Sequence, residues 1–166
     1  MKTLYIIRHA KSSWGDFKLP DFERPLNERG RTDAPIMAKR SLAKKIKIDA
    51  FVSSPAKRAK KTCKLFCTEY HAKEEDIIFI EKLYLASAGI FFEVIKELDN
   101  KYEHVAVFAH NPGITDFVNR LCENVHIDEM PTCSIFAADC NIEKWEDLKE
   151  TENKFLFFDF PKADIK

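Results

Sequence analysis

The sequence predicts an α/β fold of three layers, α/β/α, around a mostly parallel central sheet. Short apolar segments rich in β-branched and aromatic residues alternate with amphipathic segments of roughly 10–15 residues, which is the pattern of strand–helix–strand units. The chain has 166 residues, of which 45% are apolar, enough to bury a sizeable core. We therefore expect residues 1–166 to form a single domain.

The N-terminal part of the chain predicts a strand, a loop and a helix. Thr3–Arg8 is a short apolar run typical of a buried strand, and a polar loop follows it from Lys11 to about Asn27. The next segment predicts a helix that begins near Asn27 and kinks at Pro35, or one that begins near Asp33; we favour the kinked helix. Its apolar face comprises Ala34, Met37, Ala38 and Leu42.

A second strand and a second helix follow. Asp49–Ser53 predicts a buried strand, Ser54 suits an N-cap, and Pro55 suits the first position of a helix that extends to Tyr70. One stripe of this helix is apolar and holds Ala59, Cys63, Phe66, Cys67 and Tyr70. The rest is covered by Lys57, Lys60, Lys61 and Lys64, which we interpret as a solvated face.

The second half of the chain repeats this alternation. Ile77–Ile80 and Val105–Ala109 predict two more strands, and Ser87 is expected to cap a helix between them. The buried face of that helix has i, i+3, i+4, i+7 spacing and comprises Phe91, Val94, Ile95 and Leu98. Asn111 and Pro112 repeat the pattern of Ser54 and Pro55, a capping residue followed by proline, and so predict the start of another helix. The helix after them is expected to bury Ile114, Phe117, Val118 and Leu121.

The C-terminal part predicts two strands that pair with each other. They lie at Ser134–Cys140 and Lys154–Phe160 and are joined by a short turn region. We expect these two strands to pair antiparallel.

Three of the predicted strands run into residues that suit phosphate chemistry. The first ends at Arg8 and His9, the second precedes a helix with Arg58 near its start, and the fourth leads into His110. Ligands of open parallel sheets bind at the carboxyl ends of the strands, so we expect these residues at one edge of the sheet. Two of the segments also open helices, whose free N–H groups favour an anion.

These strand ends collect two imidazoles and two guanidinium groups, with no carboxylate at the three turns. The planar fork of arginine matches phosphate oxygens, and a neutral imidazole can attack phosphorus to form a covalent intermediate. Surrounding cations stabilise the transferring phosphoryl group. Each residue alone has an ordinary structural explanation, but together they predict a phosphate site that needs no metal and no cofactor.

Other kinds of site are disfavoured. The remaining histidines, His71, His104 and His126, form no HxxxH or HxH pair, and the sequence has no Walker loop, GxGxxG motif or GxSxG elbow. The 27 basic and 27 acidic residues balance, which argues against a general nucleic-acid binder. No apolar run approaches the ~20 residues that span a bilayer, and no signal peptide is evident. The five cysteines show no paired CxxC spacing, so a zinc ribbon is disfavoured. Because no export signal is evident, we expect a cytoplasmic protein with no membrane partner.

Four segments resemble, in chain order, motifs of the histidine phosphatase superfamily, which includes the cofactor-dependent phosphoglycerate mutases. They are Leu4–Ser12, Arg24–Gly30, Ser53–Thr62 and Ala109–Gly113. The resemblance implies a phosphoglycerate mutase-like fold. The short chain and the His-Asn-Pro-Gly form are similar to bacterial phosphohistidine phosphatases of the SixA type.

The resemblance also implies roles for the matching residues. His9 would be the nucleophile that becomes phosphorylated, Arg8 and Arg58 would bind the phosphoryl group, and His110 would hydrogen-bond that group in the transition state. The neighbouring residues expected to assist in phosphate binding are Lys11, Ser12 and Asn111.

The sequence departs from the superfamily pattern in two places. Ala10 stands where glycine usually follows the nucleophile, a small change. Many relatives carry a Glu or Asp as general acid ahead of the helix that begins after Ser87, whereas here Glu81 is the nearest carboxylate. An imidazole leaving group needs less help from an acid than an alkoxide does. We therefore expect a phosphohistidine-bearing protein as substrate. The alternatives are small phosphorylated metabolites, or a non-catalytic module that binds phosphoproteins.

Overall fold

The structure, a computed structural model, describes residues 1–163. Within that range six strands form one sheet: β1 (Lys2–Arg8), β2 (Ala50–Ser53), β3 (Ile78–Phe79), β4 (His104–Ala109), β5 (Ile135–Cys140) and β6 (Lys154–Asp159). Four α-helices connect or flank them: α1 (Glu28–Ala43), α2 (Lys57–Tyr70), α3 (Ala88–Lys96) and α4 (Gly113–Leu121). The predicted alternation of strands and helices is confirmed, with ends shifted by one to three residues.

The strand order is β3-β2-β4-β1-β5-β6. The first four strands of that order are parallel to their neighbours, β5 is antiparallel to β1, and β6 is antiparallel to β5. The predicted antiparallel pairing of the last two strands is therefore confirmed. The sheet is mixed, with its parallel part at the centre and one edge, where the crossover helices cover both faces.

Alternating side chains of the strands divide the core into two layers. In β1, Leu4 and Ile6 pack with residues of α3 and α4, whereas Tyr5 and Ile7 pack with residues of α1 and α2. Side chains of a strand alternate between faces, so a continuous apolar run is what a strand covered on both faces requires. The predicted three-layer α/β/α architecture follows from this packing.

Helix α1 begins where the sequence places it, but one residue of its predicted buried face is wrong. The side chain of Asn27 caps the helix by accepting a hydrogen bond from the Gly30 amide at 2.9 Å, and Pro35 lies inside the helix. Leu42 is 37% exposed, and Ser41 is buried instead. Leu42 follows Ala34 by eight residues, which rotates its side chain about 80° around the helix axis from that of Ala34. Leu42 therefore lies beside the buried stripe and not within it.

The two predicted caps at Ser54 and Asn111 are wrong, because both side chains are used elsewhere. Helix α2 begins at Lys57, and the Ser54 hydroxyl accepts from the amide of Ala56 and is hydrogen-bonded to the ring of His110. Helix α4 begins at Gly113, after a cis peptide bond between Asn111 and Pro112. The side chain of Asn111 contacts Thr115 and Met130. By contrast, the predicted cap at Ser87 is confirmed, with its hydroxyl accepting from the amide of Ile90.

Candidate active site

The carboxyl ends of three adjacent parallel strands open into one cavity. β2, β4 and β1 are neighbours in the sheet, so the turns that follow them lie side by side. The cavity has a volume of about 460 Å³. Every site residue expected from the sequence lines it: Arg8, His9, Lys11, Ser12, Arg58, His110 and Asn111.

The ring of His9 is held in one orientation at the centre of this cavity. Its Nδ1 lies 2.7 Å from the carbonyl oxygen of Ala10, and a carbonyl only accepts, so Nδ1 carries the proton. In the neutral ring the lone pair therefore lies on Nε2. The amide of Ala10 donates in turn to the hydroxyl of Thr62 at 2.9 Å, which anchors the turn to α2.

The surroundings of His9 keep its ring neutral. Burial lowers the pKa of His9 to about 3, and the hydrogen bond to Ala10 offsets this effect only in part. The nearby positive charges of Arg58, Arg8 and Arg24 act in the same direction as burial. A neutral imidazole with a free Nε2 is the form that attacks phosphorus.

The second histidine of the cavity is also buried and neutral. The ring centroid of His110 lies 5.2 Å from that of His9, and its Nε2 is hydrogen-bonded to the Ser54 hydroxyl at 2.8 Å. Burial lowers the pKa of His110 to about 2, helped by the adjacent His9 and Arg58. Its Nδ1 is buried with no hydrogen-bond partner among residues 1–163.

Two guanidinium groups flank the histidines. Arg8 donates from Nη1 to the carbonyl of Met130 at 2.8 Å. Arg58 donates from Nη1 to the backbone carbonyl of Asp21 at 2.7 Å. In the described part of the chain the Nε atoms of both arginines are buried without a hydrogen-bond partner. Buried donors are almost always paired, so these groups are suited to an oxyanion in the cavity.

A carboxylate that sequence reasoning missed also lines the cavity. Asp21 opens a short 3₁₀ turn and accepts hydrogen bonds from Tyr84 at 2.6 Å, Arg58 at 2.9 Å and Arg24 at 3.1 Å. Partial burial raises the pKa of Asp21, but these hydrogen bonds outweigh it and hold the pKa well below its usual range. The three turns themselves carry no carboxylate, as the sequence shows, but the loop before α1 brings this one into the cavity, and its hydrogen bonds keep it ionised.

Arg24 supplies a third guanidinium group. It donates from Nη1 to the hydroxyl of Ser12 at 2.7 Å, and its guanidinium lies 3.5 Å from the ring centroid of Trp14. Arg24 lies in Arg24–Gly30, one of the four segments that resemble the family, and this resemblance was the one feature of the sequence that could have indicated Arg24 as a site residue. Tyr84 and Asp21 gave no such signal. Glu81, the carboxylate nearest in sequence to the expected acid position, does not line the cavity.

Two glycines allow backbone segments to approach the site closely. A Cβ atom on Gly30 would lie 2.2 Å from the carbonyl oxygen of Lys11, and one on Gly113 would lie 1.8 Å from that of Ala86. Both distances are far inside van der Waals contact. Glycine at these positions therefore lets α1 lie against the loop after His9, and α4 against the segment that carries Tyr84.

The described residues hold no metal-binding cluster. Across residues 1–163, no group of three or more His, Cys, Asp or Glu side chains is arranged to hold a metal ion. Metal independence nevertheless stays a prediction. None of the helices in the described residues is long and apolar enough to cross a membrane.

Comparison with known proteins shows which family the chain resembles. The sequence model of the histidine phosphatase superfamily (branch 1) matches residues 4–83. The matched residues are similar to this superfamily and make up a little under half of the chain. An uncharacterized chloroplastic protein of Arabidopsis thaliana is 29% identical over 120 residues, which cover 68% of this chain and 55% of that protein. The aligned part therefore spans about half the length of that relative.

Solved structures share the fold over nearly the whole chain. A candidate phosphohistidine phosphatase SixA from Agrobacterium tumefaciens is 22% identical, with a TM-score of 0.80 over 96% of this chain and 98% of that one. A protein histidine phosphatase SixA complexed with tungstate is 20% identical, with a TM-score of 0.82 over 96% and 97%. A mycobacterial glucosyl-3-phosphoglycerate phosphatase is 13% identical, with a TM-score of 0.64 over 96% and 98%. These structures confirm the predicted fold. The predicted family and phosphatase class are supported by the superfamily model that matches residues 4–83.

Proposed function

We propose that this protein is a metal-independent phosphatase that works through a phosphohistidine intermediate on His9. One observation carries the proposal: a buried neutral imidazole has its Nδ1 proton committed to Ala10, so that Nε2 is available as a nucleophile. The match of residues 4–83 to the histidine phosphatase superfamily supports it. So do the unpaired buried nitrogens of Arg8, Arg58 and His110, which suit the oxygens of a phosphoryl group.

The reaction would proceed in two displacements. In the first, the Nε2 lone pair of His9 forms a bond to phosphorus while the bond to the leaving group breaks, and the leaving group keeps that electron pair and takes a proton. Arg8 and Arg58 stabilise the charge on the equatorial oxygens, and Nδ1 of His110 can contact the same group. In the second, water attacks the phosphorus, releases inorganic phosphate and returns the electron pair to Nε2 of His9.

The proton balance favours phosphohistidine as substrate. Asp21 is the single carboxylate among the described residues that line the cavity, and its low pKa keeps it ionised. Both cavity histidines are neutral, so neither stores a proton for an alkoxide. An imidazole leaving group can take its proton from solvent near neutral pH. The fold shared with a protein histidine phosphatase complexed with tungstate, an oxyanion, agrees with this substrate.

The mouth of the cavity favours a protein as the carrier of that phosphohistidine. Trp14 and Leu85 line the cavity yet are 77% and 82% exposed, and Phe17 on the same loop as Trp14 is 90% exposed. Exposed apolar side chains grouped around a pocket are typical of a protein-binding surface. Five free, buried cysteines within residues 1–163 suit a reducing compartment, and we place the protein in the cytoplasm.

A second candidate is a phosphatase of small phosphorylated metabolites. The cavity volume of about 460 Å³ falls within the range of small-molecule sites, and a structural neighbour is named for the substrate glucosyl-3-phosphoglycerate. The ionised state of Asp21 favours the phosphohistidine substrate over an alkyl phosphate.

The decisive experiment traps the intermediate. The protein is mixed with a ³²P-labelled phosphohistidine protein and quenched in alkali, and the label on His9 is located by mass spectrometry. We expect alkali-stable, acid-labile phosphate on the wild type and none on His9→Ala, with His71→Ala, an exposed histidine outside the cavity, behaving as wild type. EDTA should leave turnover unchanged. Binding without a phosphoenzyme would make the protein a non-catalytic module, and faster turnover of sugar phosphates would favour the second candidate.

A further inference from the structure

A second concave surface lies beside the catalytic cavity. It is a groove of about 520 Å³ between the loop before α1 and the outer face of α2. Its walls carry five basic residues, Arg31, Lys57, Lys60, Lys61 and Lys64, and a single acidic one, Glu23. The sequence interpretation of these lysines as an ordinary solvated face is therefore incomplete, because they surround a concavity. We call this surface the basic groove.

The basic groove and the catalytic cavity share a wall. Asp21 lines the cavity and Phe22 lines the groove, and in the same way Arg58 faces the cavity and Lys57 the groove. The ring of Phe22 packs edge-on against Tyr84, with centroids 4.9 Å apart. A chain segment lying in the groove is therefore within a few residues of the catalytic cavity.

Most of the positive charge in the groove has no carboxylate partner. Lys57 and Lys61 form no ion pair within 4.0 Å among residues 1–163, and Lys64 lies 3.8 Å from Glu74. The lysines recur at i, i+3, i+4 and i+7 on α2, so like charges lie next to one another on one face of the helix, an unfavourable arrangement that an anionic partner would relieve. The floor is apolar, formed by Phe22, Pro25, Leu26 and Pro55.

We propose that the basic groove binds an acidic polypeptide segment next to the phosphohistidine of a protein substrate. This inference rests on the proposed function and names the kind of protein on which the site acts. Carboxylates would pair with the lysines of α2, while apolar side chains of the same segment would contact the floor around Phe22. The floor favours polypeptide over nucleic acid, since bases bind by stacking on aromatic rings, whereas three of its four apolar residues are aliphatic and its single ring, Phe22, packs against Tyr84.

Turnover of matched peptides tests the inference. Two phosphohistidine peptides of equal length carry either glutamates or lysines around the phosphohistidine, and phosphoimidazole serves as a small probe. For the wild type, kcat/KM should be at least tenfold higher for the glutamate peptide than for the lysine peptide, and the preference should shrink at high salt. In Lys60→Glu/Lys61→Glu, the ratio of kcat/KM for the glutamate peptide to that for phosphoimidazole should fall at least tenfold.

A control pair and a binding assay separate the possible failures. Lys39→Glu/Lys47→Glu changes the net charge equally but lies outside both concavities, and the ratio should stay as in the wild type. Fluorescence anisotropy of the unphosphorylated glutamate peptide measures docking without chemistry. Turnover with no preference for glutamate overturns the basic groove as a docking site, whereas binding at Lys60 and Lys61 without turnover of any phosphoramidate overturns the proposed function alone. Tighter binding of an oligonucleotide of equal charge would overturn the choice of polypeptide.

Discussion

The carboxylate of Asp21 and the guanidinium of Arg58 are joined by a hydrogen bond of 2.9 Å, across 37 residues of sequence. The backbone carbonyl of Asp21 accepts a second bond from the same guanidinium. This is the group that we expect to hold the phosphoryl oxygens. An incoming dianion must therefore share Arg58 with Asp21 or displace its carboxylate, so we expect Asp21 to lower the affinity of the cavity for oxyanions.

Asp21→Asn should bind oxyanions more tightly. The substitution keeps a hydrogen-bond acceptor beside Arg58 but removes a negative charge from the cavity. Because Asp21 is half exposed, we expect a modest gain, roughly two- to fivefold in the inhibition constant of inorganic phosphate. Competitive inhibition of phosphoimidazole hydrolysis measures it.

The matched control for that variant is Glu23→Gln. Glu23 is exposed, lies two residues from Asp21 and does not line the catalytic cavity, so phosphate inhibition should remain as in the wild type. Weaker phosphate binding by Asp21→Asn would show that the carboxylate serves to position Arg58 instead of competing with the substrate.

Acid should destabilise the wild type more than His9→Gln. In the folded protein the pKa of His9 is about 3, against roughly 6.5 when unfolded. Between these values the unfolded chain binds a proton that the folded protein does not, so this contribution to stability falls as the pH drops through that window. Between pH 7 and pH 5 we expect the wild type to lose about 1–2 kcal/mol more than the variant, measured by urea unfolding. An equal loss in both proteins would contradict a buried neutral imidazole at position 9.

The predictable part of the site consists of residues whose position is set by local sequence. Arg8, His9 and His110 directly follow apolar runs, so identifying the strands also places these side chains at the edge of the sheet. Arg58 could be placed at the same edge because it is the second residue of α2, which begins just after β2. These four cavity residues could be named in this way because a parallel sheet brings the carboxyl ends of neighbouring strands together, whereas Lys11, Ser12 and Asn111 were named as neighbours of residues that carry the family resemblance.

The residues that could not be predicted depend on contacts between distant segments. Asp21 reaches the cavity through the path of an irregular loop, and its bond to Tyr84 spans 63 residues. The misassigned cap at Ser54 has the same origin, since its hydroxyl contacts His110, 56 residues away. The local sequence correctly indicated that helices begin near Ser54 and Asn111. It carries no information about which distant residues a side chain contacts.

Gly113→Ala should be destabilising and Gly89→Ala stabilising, although both exchange a helical glycine for alanine. A Cβ on Gly113 would overlap the carbonyl of Ala86, and the required shift should cost about 1–3 kcal/mol. A Cβ on Gly89 meets nothing closer than the Ser87 hydroxyl at 3.8 Å, so the helix gains about 0.5–1 kcal/mol. Urea unfolding of the two variants measures both. Equal effects would show that the segment at Ala86 moves aside freely.

Thr62→Val should slow turnover by loosening the turn that holds His9. The Thr62 hydroxyl accepts from the amide of Ala10 at 2.9 Å and donates to the carbonyl of Arg58 at 2.8 Å, so one buried side chain ties the turn after His9 to the helix that carries Arg58. Valine has a similar shape but leaves the Ala10 amide without a partner, which should cost about 1–3 kcal/mol of stability. Because the Ala10 carbonyl fixes the His9 ring, we also expect a lower kcat with little change in KM, measured on phosphoimidazole at a temperature where the variant is folded. Thr62→Ser retains the hydroxyl and should restore kcat close to that of the wild type, whereas equal kcat values for all three proteins would mean that the turn holds His9 without this bond.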